Sequence, residues 1–266
     1  MSDVLWNRLT APALRRLAAQ GAPVLLPVGS TEQHGPHLPT GVDDFLSAEV
    51  CRRTAVLMAA RGRPAVVAPS LWCGLSDHHV EFGGTFTLTL PTYHMVLRDL
   101  CRSILTAGFA KILVVNGHGG NVTALNALSN ELSRELSASI AVTSYFTAGG
   151  ARTAEVLEKQ ETLMHACEGE TSMMMTVAPE LVDLDRLEEA TGPDIALQSA
   201  PDHIVHVPRP FKDVTATGVA GDARLATREK GEAILDASAT ALAAWLLEWT
   251  GGDGSRTRPK ATDSVL

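Results

Sequence analysis

Glu32 and His34 stand two residues apart in residues 23–44, PVLLPVGSTEQHGPHLPTGVDD. In an extended segment that spacing sends both side chains to one face. Asp43, followed by Asp44, comes nine residues after His34, so carboxylates and an imidazole gather in one polar, turn-rich segment. Such a set suits a divalent metal ion, although residues of these types also fill loops for solubility and turn formation. Two further clusters weigh towards metal. His118 lies in NGHGGN, residues 116–121, where glycines leave the imidazole unobstructed and let the backbone turn sharply. A phosphate-holding turn at a helix start is the alternative there, weakened because the pattern is neither GxGxxG nor GxxxxGK[ST]. The third cluster is HACEGETS, residues 165–172. Glu168 and Glu170 open a predicted helix, a place that favours negative charge for structural reasons alone. Cys167 beside them is a candidate nucleophile, but a lone cysteine with no assigned base is more often a small buried residue.

These residues need a scaffold. The apolar run over 24–28 reads as a buried strand that delivers the first cluster, since loops at strand ends carry chemistry in open α/β sheets. Further short strands are predicted over 64–69, 112–115 and 139–144, and 85–90 alternates Phe86, Leu88 and Leu90 with threonines as a strand with one polar face. Helices are predicted over 11–19, 45–60, 93–107, from 121 with Asn121 as N-cap, over 172–177, and over 227–248. Ile234, Ala237, Leu242, Trp245 and Trp249 form the inner stripe of the last. Residues 190–222, rich in proline and glycine, read as long ordered loops. Strands alternating with helices imply a mostly parallel sheet covered on both faces. The expectation is a single three-layer α/β/α domain over residues 1–250, with a disordered tail over 251–266.

With 266 residues, 45% of them apolar, the chain can bury a substantial core. A formal net charge of −8 argues against nucleic acid as a partner. No apolar run approaches the ~18 residues that span a membrane, and the first residues lack a signal-peptide pattern. Cys51, Cys73, Cys101 and Cys167 lie far apart with no CxxC pair, as reduced thiols of a cytoplasmic protein would.

LPVGSTEQHGPHLPTGVD, HVEFGGT, VNGHGGN, HACEGETSMMM and ATREKGE, in this order, resemble the successive motifs of the creatininase (creatinine amidohydrolase) family. The resemblance implies a two-metal amidohydrolase that cleaves the C–N bond of a small, often cyclic amide with a metal-bridging hydroxide, commonly as a homohexamer. Carried over, the ligands are Glu32, His34, Asp43 as the bridge, and His118. Creatinine-hydrolysing members carry a glutamate two positions after that histidine, where this chain has Gly120. Other members supply the carboxylate from the HAGE motif, which makes Glu168 the expected fifth ligand and leaves Glu170 as the alternative. His165 is the implied proton shuttle, or else a hydrogen-bonding support for a ligand. His79, Gly119, Gly120 and Phe146 are expected to line the substrate, with His78 facing solvent. His37, His94, His203 and His206 receive no role. Zinc is the expected metal, with manganese or iron as alternatives. Gly120 and Phe146 depart from the creatinine-hydrolysing pattern, in which two tryptophans close over the ring. Relatives acting as a peptidase of mycofactocin maturation or a formamidopyrimidine deformylase are therefore alternative guides to the substrate. The rival classes are a cysteine hydrolase and a non-catalytic anion- or nucleotide-binding protein.

Overall fold

Four short apolar runs form one parallel sheet in the computed structural model, which describes residues 3–194 and 207–251. Strands β1 (Val24–Val28), β2 (Val66–Val67), β3 (Lys111–Asn116) and β4 (Ser139–Ser144) lie in the order β2-β1-β3-β4. Helix α1 (Ala11–Ala19) precedes β1. Helices α2 (Val42–Ala60), α3 (Leu90–Thr106) and α4 (Val122–Glu135) make the successive crossovers between the strands. After β4 come α5 (Tyr145–Ala148), α6 (Gly150–Val156), α7 (Glu168–Val177) and α8 (Arg228–Gly251).

Alternation along the strands divides the core into two layers. Leu25, Val67, Leu113 and Val115 turn to one face and meet Leu46 and Val50 of α2, Met173 of α7, and Ile234 and Leu242 of α8. Val24, Leu26, Val28, Ile112 and Val114 turn to the other and meet Leu14, Leu97, Leu125 and Leu128 of α1, α3 and α4. Each such side chain contributes roughly 1.5–3 kcal/mol by leaving water. Pro27 is tolerated in central β1 for a local reason. Its carbonyl accepts from Leu71, on the side where β2 has already ended at Val67, so no strand-to-strand donor is lost.

The chain leaves β1 towards β2 and leaves β3 towards β4. The order therefore reverses between two neighbouring strands whose carboxyl ends open a crevice. Ligand sites of open α/β sheets sit at this point. The loops that follow β1 and β3 are the ones carrying Glu32, His34 and His118.

Several element boundaries differ from expectation. Residues 85–90 form no strand: Phe86 makes only an isolated bridge to Thr31, and α3 already begins at Leu90. Their threonine alternation suits an extended loop as well as a strand. Helix α2 starts at Val42, so Asp43 and Asp44 belong to its first turn and not to the loop. Helix α7 does start at Glu168, as the reading of Glu168 and Glu170 as its opening residues requires, four residues before the run predicted from 172. The Asn121 side chain does not cap α4. Its amide accepts from Leu75 N (3.0 Å) and donates to the Gly29 carbonyl (3.1 Å), tying three loops together. The buried stripe of α8 runs through Ile234, Leu235, Ser238, Leu242 and Leu246, with Trp245 and Trp249 at its margin. Gly251 closes α8, and the tail expectation for 252–266, like His203 and His206, falls outside the described residues.

Candidate metal centre

Asp43 is the hub of the site. It lies in the first turn of α2, where the helix dipole favours negative charge, and it is buried. Its Oδ1 is 3.2 Å from His34 Nε2 and its Oδ2 is 3.1 Å from His118 Nδ1. Glycine at 117 permits this approach: a Cβ there would stand 2.4 Å from the Asp43 carbonyl oxygen. Glu32 Oε1 comes within 3.1 Å of the same His118 Nδ1, and Glu170 Oε2 within 3.9 Å of His34 Nε2. His34, Asp43 and Glu170 thus form one convergent triad, His118 Nδ1 faces both Glu32 and Asp43, and Glu32 also converges with His34 and His165 and with His78 and His118.

The imidazoles are oriented from behind. His34 Nδ1 donates to the Glu32 carbonyl (3.1 Å) and His118 Nε2 to the Leu75 carbonyl (3.1 Å), which leaves His34 Nε2 and His118 Nδ1 as the lone pairs facing the carboxylates. Carbonyl support of this kind is usual behind metal-bound histidines. Ser76, paired with Ser30, also reaches His118 Nε2 at 3.1 Å. His165 Nε2 donates to the Gln33 carbonyl (2.8 Å), so its Nδ1 faces Glu32 Oε1 at 3.6 Å. The Gln33 amide donates to His79 Nδ1 (2.9 Å) and the Gly218 carbonyl (3.1 Å), and His79 presents Nε2–H to Glu32 Oε1 at 3.3 Å. Phe211 covers both rings, with centroids 4.6 Å from His79 and 5.0 Å from His165.

Three buried carboxylates create an unmet demand for positive charge. Burial works against charge on His34, yet Asp43, Glu170 and Glu32 together lift it to about 9, and Glu32 and Asp43 hold His118 well above its ordinary range against the same burial. Burial pushes Glu170 up to about 8, with Asp43 and Glu32 adding to it against the pull of His34. Burial and the neighbouring imidazoles keep His165 and His79 well below the usual histidine range, so both are neutral at pH 7. Among the described residues, both Glu32 oxygens, Asp43 Oδ2 and His34 Nε2 are buried without a hydrogen-bond partner. Buried polar atoms are rarely left in that state. Divalent cations held among these groups would satisfy them, and the donors are of the nitrogen and oxygen type such ions take.

One expected ligand, Glu168, lies apart from the cluster. Glu168 is buried, but its carboxylate is engaged by Lys230 Nζ (2.6 Å) and Glu158 N (3.2 Å), away from the cluster. Successive helical residues turn by about 100°, so Glu168 and Glu170 must face opposite sides of α7. Glu170 is the one turned inward, and its Oε2 also accepts from Ala166 N at 2.6 Å. Ala166 adopts a left-handed φ of 50°, which bends the chain between His165 and α7. His78 is nearer than expected: it stacks on His118 at 5.5 Å and groups with Glu32 and His118. Gly119 and Gly120 lie exposed at the mouth, and Phe146 packs edge-on to Tyr145 at the margin of the core. A Cβ at Gly120 would lie 2.4 Å from His118 Nε2, so a glutamate does not fit there with His118 as placed. Cys167 is buried, accepts from Met164 N, and is pushed up to about 12 by burial and Glu170, the reverse of an activated thiolate. His37, given no role, is buried and bonds Thr171 Oγ1 at 2.7 Å. Sequence reading missed Gln33, Ser76 and Phe211, whose side chains carry no metal-ligand signature.

The creatininase (creatinine amidohydrolase) family model matches residues 7–246. The chain belongs to the creatininase family. The mycofactocin precursor peptide peptidase of Mycobacterium ulcerans is 33% identical over 88% of this chain and 88% of its own length. The creatinine amidohydrolase of Pseudomonas putida is 29% identical over 89% and 91% respectively. A putative creatinine amidohydrolase from Bacteroides fragilis superposes with a TM-score of 0.82 at 28% identity, covering 96% of this chain and all of that one. Solved creatininases include a Zn–Zn form of a mutant (TM-score 0.79, 27% identity) and a manganese form (0.79, 28%). Family members are hydrolases of C–N bonds, and this creatininase-family chain is an enzyme of that class. Among the described residues no helix is long and apolar enough to cross a membrane.

Proposed function

We propose that this creatininase-family enzyme is a dinuclear metal-dependent amidohydrolase, with one cation held by Glu32, Asp43 and His118 and the other by His34, Asp43 and Glu170. The observation that carries the reading is the buried donor set gathered around Asp43, in which both Glu32 oxygens, Asp43 Oδ2 and His34 Nε2 have no hydrogen-bond partner among the described residues. Bound there, divalent cations supply a water of lowered pKa and polarise the amide carbonyl. Solved zinc and manganese forms of creatininase support those two metals as the first to try.

The remaining work falls to the protein's own groups. His165 is neutral and turns the Nδ1 lone pair towards Glu32, so Nδ1 can accept a proton during attack and return it to the leaving nitrogen. His79, fixed by Gln33 with Nε2–H inward, is a hydrogen-bond donor to Glu32 or to a developing negative charge. Phe211 excludes water from both rings. A peptide substrate is the second reading, supported by the 33% identity to the mycofactocin precursor peptide peptidase. The test is turnover of short peptides, formamides, lactams, cyclic ureides and creatinine with zinc or manganese added. Metal-dependent hydrolysis of at least one amide is expected, and uniform inactivity of metal-loaded protein would overturn the proposal.

A further inference from the structure

His78, expected from sequence to face solvent, is half-buried, and the centre described above gives it no task. It sits beside His79 in a short 3-10 helix, Asp77–Phe82. At three residues per turn, neighbours on such a helix diverge by about 120°. One histidine can therefore face Glu32 while the other swings towards the loop after β3. His79 takes the first course, with Nε2 3.3 Å from Glu32 Oε1. His78 takes the second, its ring centroid 5.5 Å from that of His118 with 19° between the planes. A ring nitrogen of His78, one of His118 and a carboxylate oxygen of Glu32 all lie within 4.8 Å of one another. Donors at about 2.0–2.2 Å from one zinc stand up to about 4.4 Å apart, so a small closure of these side chains suffices.

Two local features hold the ring there. Gly120 makes room for it: a Cβ at that position would stand 2.8 Å from His78 Cε1. The backbone ahead of His78 is registered on His118 itself, because the Leu75 carbonyl accepts from His118 Nε2 at 3.1 Å. Leu75 N donates to Asn121 Oδ1 (3.0 Å), Ser76 N to Thr87 Oγ1 (3.0 Å) and His79 N to the Ser76 carbonyl (2.9 Å). A side chain mounted on so fixed a turn is preorganised for a ligand.

We infer that His78 is a further metal ligand, joining Glu32, Asp43 and His118 on their cation while His34, Asp43 and Glu170 serve the other. The inference rests on the two-cation reading above. Four protein donors close the usual coordination of zinc, whereas three leave a position open. The cation that His78 joins is therefore the more tightly held of the two, and the other keeps the position open to substrate.

The test compares wild type, His78→Ala, His78→Glu and His94→Ala by zinc titration against a chelator and by the visible spectrum of the cobalt-loaded proteins. Melting of the metal-free proteins is measured alongside. His94, on α3, is the control, since it joins none of the donor groupings. Removing a support behind a ligand costs about 10–100-fold in metal affinity, and removing a ligand should cost at least as much. Expected in His78→Ala is a loss of about tenfold or more for the tighter zinc, an altered cobalt spectrum and a metal-free melting temperature close to that of wild type. His78→Glu, which returns an oxygen donor, should recover part of the affinity, and His94→Ala should match wild type throughout. Unchanged affinity for the tighter zinc in His78→Ala, or a cobalt spectrum identical to that of wild type in both His78 variants, would overturn the inference while leaving the two-cation reading intact. A wild type that binds no metal would overturn that reading itself.

Discussion

Glu168 and Glu170 differ by two positions and by everything that matters to the chemistry. One carboxylate is neutralised by Lys230 at 2.6 Å, the other faces His34 across 3.9 Å. Their opposite directions were readable in the helical turn, but which of them faces inward depends on how α7 packs against α8, and local sequence does not carry that. Glu32, His34 and His118 were legible as polar residues just past recognisable apolar strands, and Asp43 as part of the same polar segment as Glu32 and His34. Their grouping as ligands came from the resemblance to the family's motifs. Gln33 and Phe211 were not, since an amide and a phenyl ring act here only through what they touch. Breaking a buried ion pair costs about 3–5 kcal/mol, because the surviving charge is left uncompensated. Glu168→Gln is therefore expected to lower thermal stability markedly, read as a fall in melting temperature, while leaving metal content at the wild-type level. Loss of metal without loss of stability would assign Glu168 to the centre.

At the scale of elements, the site depends on one close crossing, the end of β3 against the first turn of α2. Gly117→Ala forces a Cβ to within 2.4 Å of the Asp43 carbonyl, a contact that must move either β3 or α2. Overpacking of this kind costs about 1–3 kcal/mol, and here it also separates His118 from Asp43. The variant should bind metal more weakly and lose activity, whereas Gly119→Ala, with nothing within 4 Å of the added carbon, should behave as wild type in both assays. The strands and crossover helices were visible in the sequence as apolar runs and 3.6-residue periodicity. Their edges were harder. Val42 and Asp43 read as loop because the polar segment before them masks the helix start, and 85–90 mimics a strand by alternation although no neighbouring strand is there to pair with it.

At the scale of the whole molecule, folding confines three carboxylates and several imidazoles between two apolar layers, and the pH dependence of stability follows. In the metal-free protein His34 is raised from 6.5 to about 9, so its contribution is complete below about pH 6.5 and is lost as pH rises through about 9. Glu170, raised from 4.5 to about 8, acts in the same direction over its own range. His37 is lowered to about 4, and His79 and His165 are lowered too, so their contribution is present above about pH 6.5 and is lost as pH falls. Metal-free protein should therefore be most stable near neutrality, and its melting temperature should fall between pH 7 and 9. Added zinc should reverse that alkaline fall, because cations replace the protons and bind more tightly as those protons leave. A melting temperature of metal-free protein that rises steadily from pH 7 to 9 would contradict this electrostatic picture.

In the proposed centre, Glu32, His34, Asp43, His118 and Glu170 hold a pair of cations hinged on Asp43. Elemental analysis of protein purified without chelator, for wild type, Glu170→Ala and Glu168→Gln, tests it most directly. About two transition-metal ions per chain are expected in wild type and in Glu168→Gln, and about one in Glu170→Ala. Wild-type protein that holds no metal even after zinc or manganese is supplied, or a Glu170→Ala variant that keeps both ions, would contradict it.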